Sequence, residues 1–238
     1  MNLGKLRVIC AGAGKGLVEA LAPGFSADTG IEIDATFGAV GALKTRLDSG
    51  EKCDVIVLTA QLIDTLARAN RVMAVTVAAL GAVSTGIAVR AGDSFPDVRD
   101  AASLRAALLR AGAIHVPDPE RATAGIHFMS VLRELDIEAD VAARLRTYPN
   151  GATAMRALAD EGRHGDLGCT QMTEIRYTAG VTAVGSLPKG LDLATIYSAA
   201  VASDAAMPDL ARRLVTLLTG PQSARLRSAG GFDVLPGR

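Results

Sequence analysis

With 238 residues, 49% hydrophobic side chains and 25 glycines, the chain is long enough to bury a sizeable core, as one large domain or two small ones. Its 25 Lys plus Arg balance its 25 Asp plus Glu, so no net field draws in nucleic acid or an anionic membrane surface. Trp is absent and aromatics make up 3%, which removes the base-stacking platforms of single-strand binders and excludes nucleic acid as a partner.

The start, Met1-Asn2-Leu3-Gly4-Lys5, runs into a strand pattern without the basic, apolar and small-residue stretches of a secretory leader. As written the chain reads as cytoplasmic; if it is a trimmed mature form, it reads as periplasmic. No run reaches the roughly 18 apolar residues of a membrane span, so no membrane insertion is expected. Lys5 to Cys10 reads as the first strand and ends in the glycine-rich turn Ala11-Gly12-Ala13-Gly14-Lys15-Gly16. The apolar positions Leu17, Val18, Leu21 and Phe25 then predict a helix over 17–29, stopped by Gly30. A second strand, Ile31 to Phe37, runs into a second such turn, Gly38-Ala39-Val40-Gly41-Ala42, and a helix over 43–47. Asp54 to Leu58 is a continuous apolar strand of the kind buried on both faces, followed by a helix over 61–69.

Ser84 to Arg90 is predicted as a further strand, and Ala101 to Leu109 as a helix. A second strand-helix series follows: strand 113–116, a helix from Thr123 or Ala124 to Leu135, strand 145–148, a helix over 152–159 and strand 166–169. The tail reads as strand 193–201 and two helices opened by Pro208 and Pro221. Such alternation predicts an α/β fold with a parallel sheet and crossover helices, and ligands outside the carboxyl ends of the strands. Both glycine turns occupy that edge. Glycine lets the backbone approach a ligand, and a helix start supplies unpaired N–H groups with partial positive charge, so the turns point to a small anion as ligand.

Nucleotide motifs fail on the first turn. A P-loop requires Gly five residues before the Gly-Lys pair and a hydroxyl after the lysine, where this chain has Ile9 and Gly16. Leu17 stands where a dinucleotide fingerprint needs its third glycine, although Asp34 leaves a ribose contact open. The cysteines Cys10, Cys53 and Cys169 are an odd set without metal-ligand spacing, read as buried reduced thiols. No metal or cofactor is implied.

The succession Val8 to Gly14, Asp28-Thr29-Gly30, Phe37 to Leu43 and Cys53 to Ala60, continued by Asp118-Pro119, Thr123-Ala124-Gly125, Gly165 to Gln171 and Leu218 to Gln222, resembles the bacterial molybdate-binding solute-binding proteins over nearly the whole chain. That resemblance implies a two-lobed type II periplasmic-binding fold with an oxyanion held in a cleft between lobes. Lobe I would take 1–80 and 188–238, and lobe II 81–187. The molybdate binders carry serines in the first two turns, where this chain has Gly14 and Val40, and a tyrosine that corresponds to Gln171. A hydrogen bond to a charged group is worth roughly 1.5–3 kcal/mol, so the loss of two hydroxyls argues against molybdate itself.

A subgroup marked by Gly86-Ile87-Ala88-Val89-Arg90-Ala91-Gly92, Pro96-Asp97, Ala124 to Phe128, Thr170 to Ile175, Leu187-Pro188 and Thr195-Ile196-Tyr197 is similar to bacterial aconitate isomerases, with Ala124 at a place where the subgroup has Ser. The resemblance implies ligand contacts from Gly12, Ala13, Gly14, Lys15, Ala39, Val40, Thr59, Arg121, Thr123, Ala124, Gly151 and Gln171. Arg121, Lys15 and Gln171 would match an organic di- or tricarboxylate. In an isomerase reading, His127 is the candidate base for a 1,3-proton shift, kept neutral by the helix start after Gly125. The bland alternatives are a histidine satisfied by a neighbouring group and a solvated Lys15. Glu174 reads as a helix-turn residue past the strand, and His115 and His164 carry no signal. Three readings thus stand side by side: a carboxylate binder, an isomerase of a small unsaturated acid, and an oxyanion receptor handing its ligand to an ABC transporter permease.

Overall fold

Apolar runs and helical stripes alternate as the pattern predicts in a computed structural model, which describes residues 4–233. Met1, Asn2 and Leu3, on which the expectation about the chain start rests, lie outside them. The described residues separate into two units: one runs to Val83 and resumes at Thr195, and the other is Ser84–Ala194.

In the first unit, β1 (Lys5–Ala11) passes through a 3₁₀ turn, Gly12–Gly14, into α1 (Lys15–Thr29). Gly30 closes that helix in the left-handed conformation, φ 70°. Then come β2 (Glu32–Gly38), α2 (Val40–Asp48), β3 (Val55–Thr59), α3 (Ala60–Arg68) and the first half of β4 (Ala78–Arg90). β1 pairs in parallel with β2 on one side, Ala11 opposite Gly38, and with β3 on the other, Cys10 opposite Val57. These three strands therefore end together at Ala11, Gly38 and Thr59, which puts the starts of α1, α2 and α3 on one edge of the sheet. Leu6, Val8, Val55, Val57, Leu17, Leu43 and Ile63 are buried in this unit's core. Asp54, fully buried, accepts backbone N–H bonds from Arg7 (2.8 Å) and Ala206 (2.7 Å), which ties the entry of β3 to the returning chain.

The second unit holds the rest of β4, α4 (Ala101–Arg110), β5 (Ile114–Pro117), α5 (Thr123–Glu134), α6 (Glu138–Val141), β6 (Leu145–Tyr148), α7 (Gly151–Glu161), β7 (Leu167–Gln171), α8 (Met172–Tyr177) and β8 (Val181–Ser186). Its core joins Ile87, Leu104, Leu108, Val116, Phe128 and Leu132, contributed by strands and helices alike. β6, β5 and β7 are parallel, so their carboxyl ends again share an edge. The chain returns to the first unit through β9 (Ala194–Val201), α9 (Pro208–Thr219) and, after a 3₁₀ turn, α10 (Ala224–Gly230).

The strands joined by crossover helices are parallel as expected, and antiparallel strands are added to them: β9 runs antiparallel to β3, and β7 and β8 run antiparallel to β4. Alternation constrains only consecutive strands joined by a crossover helix, and these pairs are distant in sequence. β8 and α6 have no counterpart among the predicted elements, α8 is anticipated only as the helix turn at Glu174, and β4 starts at Ala78 rather than Ser84.

Candidate functional site

Each unit presents helix starts at the carboxyl edge of its parallel strands. In the first unit, neither the turn at Gly12–Gly14 nor the start of α2 has a side-chain cap or an acidic residue in its first turn. The first N–H groups of a helix have no partner within it, so Val40, Gly41 and Ala42 offer donors next to the turn of Gly12, Ala13 and Gly14. Ala39 is the residue before α2, and its carbonyl accepts from Leu43 N at 3.0 Å, the first bond of that helix. The third start differs. Thr59 Oγ1 accepts from Leu62 N at 3.4 Å, so the hydroxyl caps its own helix.

Gly14 stands where the sequence resemblance implies a serine. A Cβ there would lie 2.7 Å from Cys10 Sγ and 3.3 Å from Val57. The buried thiol fills the space, so glycine is the residue that fits. Lys15 Nζ stands 3.7 Å from Glu19 and 5.7 Å from the centre of the Phe37 ring, an exposed intrahelical pair. Burial pushes the thiols up, Cys53 to about 12, which removes them as nucleophiles at neutral pH.

In the second unit, Asp118 organises the loop ahead of α5. Its Oδ1 accepts from Glu120 N (2.8 Å) and Arg121 N (3.0 Å), and its carbonyl accepts from Ala122 N. That leaves the amides of Thr123, Ala124 and Gly125 as the uncapped start of a 12-residue helix with no acid in its first turn. Arg121 is exposed, and among the described residues its guanidinium has no hydrogen bond or ion pair.

Gln171 ends β7 on the same edge. Its side chain is buried, and both Nε2 and Oε1 lack a partner among the described residues. Directly across the β4–β7 ladder is Thr85, fully buried, whose Oγ1 is also unpartnered. Two adjacent orphaned polar groups are unusual, because leaving one buried polar group unmade costs roughly 1–3 kcal/mol. Thr85 escaped the sequence reading because it sits in an apolar strand pattern.

Gly151 corrects an expectation. The carboxylate of Glu174 occupies the start of α7: its Oε2 would lie 2.0 Å from a Cβ at Gly151, and it accepts from Thr170 Oγ1 at 2.6 Å. The backbone amides of Ala152, Gln171 and Gly151 donate to it as well. The protein's own carboxyl group thus fills that helix start, and Gly151 offers its amide to Glu174 rather than to a ligand. Burial raises the Glu174 pKa above the ordinary carboxyl value, with the Thr170 hydroxyl and these amides pulling the other way. Nothing in the local pattern Thr173-Glu174-Ile175 marks a buried acid; the only signal is the contact with α7.

His127 is the fifth residue of α5, beyond the free amides of its first turn. Its Nε2 stands 2.8 Å from the carbonyl oxygen of Leu191. A carbonyl only accepts, so this nitrogen carries the proton and Nδ1 is left as the acceptor in the neutral ring. His115 also proves to be partnered: buried in β5, it stacks on Tyr148, with Nδ1 3.0 Å from the phenol oxygen and Nε2 3.8 Å from Asp166. Burial lowers its pKa below the ordinary histidine value, with Asp166 pulling the other way.

A family model described as bacterial extracellular solute-binding protein matches residues 6–233. An aconitate isomerase from Pseudomonas sp is 25% identical over 237 residues, spanning 97% of this chain and 88% of that protein. Among solved structures, the periplasmic molybdate-binding protein of Azotobacter vinelandii superposes with a TM-score of 0.78 at 20% identity, covering 98% of this chain and 100% of that one. The sulfate-binding protein SubI of Mycobacterium tuberculosis H37Rv gives 0.72 at 16% identity, over 96% and 86%.

Proposed function

The chain belongs to the bacterial extracellular solute-binding protein family, and from that premise we propose that it binds a small anion, an organic di- or tricarboxylate in preference to molybdate. The uncapped helix starts supply donors suited to any oxyanion. The preference is carried by Gln171, whose buried amide has both a donor and an acceptor to satisfy. A fully deprotonated tetrahedral oxyanion offers acceptors alone and would leave Oε1 unmade, at roughly 1–3 kcal/mol. A carboxylic acid that also bears a hydroxyl or a protonated carboxyl meets both ends, with the Thr85 hydroxyl beside them. The absent hydroxyls at Gly14 and Val40 point the same way.

The test is a thermal-shift panel of molybdate, sulfate, citrate, cis-aconitate and trans-aconitate, since a ligand that binds only the folded protein raises its Tm. A polycarboxylate should give the largest shift, with citrate, whose hydroxyl can donate to Gln171 Oε1, ahead of the aconitates. Stabilisation by molybdate or sulfate alone, or by none of the panel, would overturn the proposal. In this reading the chain acts as a receptor outside the inner membrane, delivering its ligand to an ABC transporter permease; recovery of the native protein in the cytoplasmic fraction would count against that role. Among the described residues, no helix is long and apolar enough to cross a membrane.

A second reading, isomerisation of a small unsaturated acid, is favoured by the 25% identical aconitate isomerase and by the free Nδ1 of His127. There His127 would take a proton from one carbon of the acid and return it to the carbon two places along, with main-chain amides stabilising the enolate-like charge between. Deuterium uptake by aconitate in D₂O, followed by NMR, tests it. Exchange should appear with the native protein and disappear in His127→Ala, and exchange unchanged in that variant would remove His127 from the mechanism.

A further inference from the structure

The amino end of β7 carries a feature that the anion site does not use. A cavity of about 210 Å³ opens there within the second unit, lined by Val89, Asp93, Phe95, Ala107, Arg110 and Leu167 among others. It is below the usual size of pockets for drug-sized ligands and thus suits a small metabolite. Gln171 ends β7 and Leu167 begins it, so this cavity and the carboxyl edge lie at opposite ends of the strand.

Asp93 decides what the cavity can hold. Its side chain is only 7% exposed. Oδ1 is engaged by Arg90 Nη2 at 3.3 Å and His164 Nδ1 at 3.2 Å, whereas Oδ2 is buried with no partner among the described residues. A buried carboxylate oxygen left unmade calls for a donor from a ligand. Arg110, the last residue of α4, lines the same cavity and has no hydrogen bond or ion pair of its own among the described residues. The two opposite charges are not paired with each other. Arg90 offsets part of the Asp93 charge through Oδ1, but Oδ2 still needs a donor and Arg110 still needs an acceptor, so a molecule carrying both an ammonium and a carboxylate meets both groups where a simple anion meets one.

We propose that this cavity is a second ligand site, taking a small zwitterion, an α-amino acid with an apolar side chain. Its ammonium is held by Asp93 Oδ2 and its carboxylate by the Arg110 guanidinium. The side chain lies on Val89, Ala107 and Leu167, with the exposed ring of Phe95 at the rim. This proposal stands on residues that the anion reading does not touch.

Calorimetric titration of the full chain with L-leucine, isovalerate and 3-methylbutylamine tests it, the last two each lacking one charge. L-leucine should bind saturably, and each single-charge analogue about ten- to a hundredfold more weakly, the worth of one charged hydrogen bond. Asp93→Asn and Arg110→Gln should each weaken L-leucine by a similar factor and leave the Tm response to polycarboxylates unchanged. Arg110→Gln alters an exposed side chain and decides the matter if Asp93→Asn does not fold. Absence of saturable L-leucine binding, equal binding of either analogue, or native-like binding by Arg110→Gln would each overturn the proposal.

Discussion

Gly14 shows how a single position shapes the first glycine-rich turn. Because a Cβ there would lie 2.7 Å from Cys10 Sγ, Gly14→Ser should lose about 1–3 kcal/mol by overpacking. Cys10→Ala in the same chain should recover most of that loss, a coupling that chemical denaturation of the four proteins of the cycle measures directly. Additive losses would show that the thiol is not the obstacle. Glu174 gives a second prediction. Its folded pKa is raised, so the folded protein holds this proton more tightly than the unfolded chain. Its contribution to stability is then fully present below the ordinary carboxyl value and is lost as pH rises through the raised one. Denaturation midpoints of the native protein should fall over that window relative to Glu174→Gln, and parallel profiles would contradict the assignment. Neither residue's role was fully legible in the sequence. The glycines announced close approach, but what approaches Gly14 is a thiol and what approaches Gly151 is the protein's own carboxylate, both fixed by packing.

At the scale of elements, the helix starts matter through what they lack. Ala39 before α2 and Ala122 before α5 provide no cap, although Ser, Thr, Asp or Asn there stabilises a helix. Thr59, Asp100 and Asn150 do cap α3, α4 and α7 in the same molecule. Ala39→Asp should therefore stabilise the fold by about 0.5–2 kcal/mol, while its carboxylate competes for the amides of α2 and weakens polycarboxylate binding. Thermal unfolding and titration on the same variant check both signs. A gain in stability with unchanged affinity would take α2 out of the ligand site. The alternation of strands and helices was readable because consecutive elements carry their own periodicity; α6 and β8 were not, since α6 is a four-residue helix and β8, Val181–Ser186, is only partly buried and shows no apolar run. The antiparallel pairings join strands far apart in the chain, which no local pattern encodes.

For the molecule as a whole, the even charge balance sets how a ligand is captured. With 25 basic and 25 acidic residues, long-range steering is weak, and in the proposed reading attraction depends on amides and a few cations such as Arg121. Main-chain amides leave almost no trace in a sequence beyond missing caps and missing acids, so the solute-binding fold was legible while the ligand proposed for it was not; the orphaned amide of Gln171 became visible only with its surroundings. The kinetic consequence is distinctive. An electrostatically steered binder loses association rate steeply with ionic strength, by factors of about 10–10³, because the Debye length shrinks from about 30 Å at 0.01 M to about 8 Å at 0.15 M. Here the association rate of a polycarboxylate, followed by stopped-flow fluorescence or a competing probe, should change by well under about tenfold over that range of sodium chloride. A steep fall would mean that a concentrated patch of basic side chains, and not the helix starts, draws the anion in.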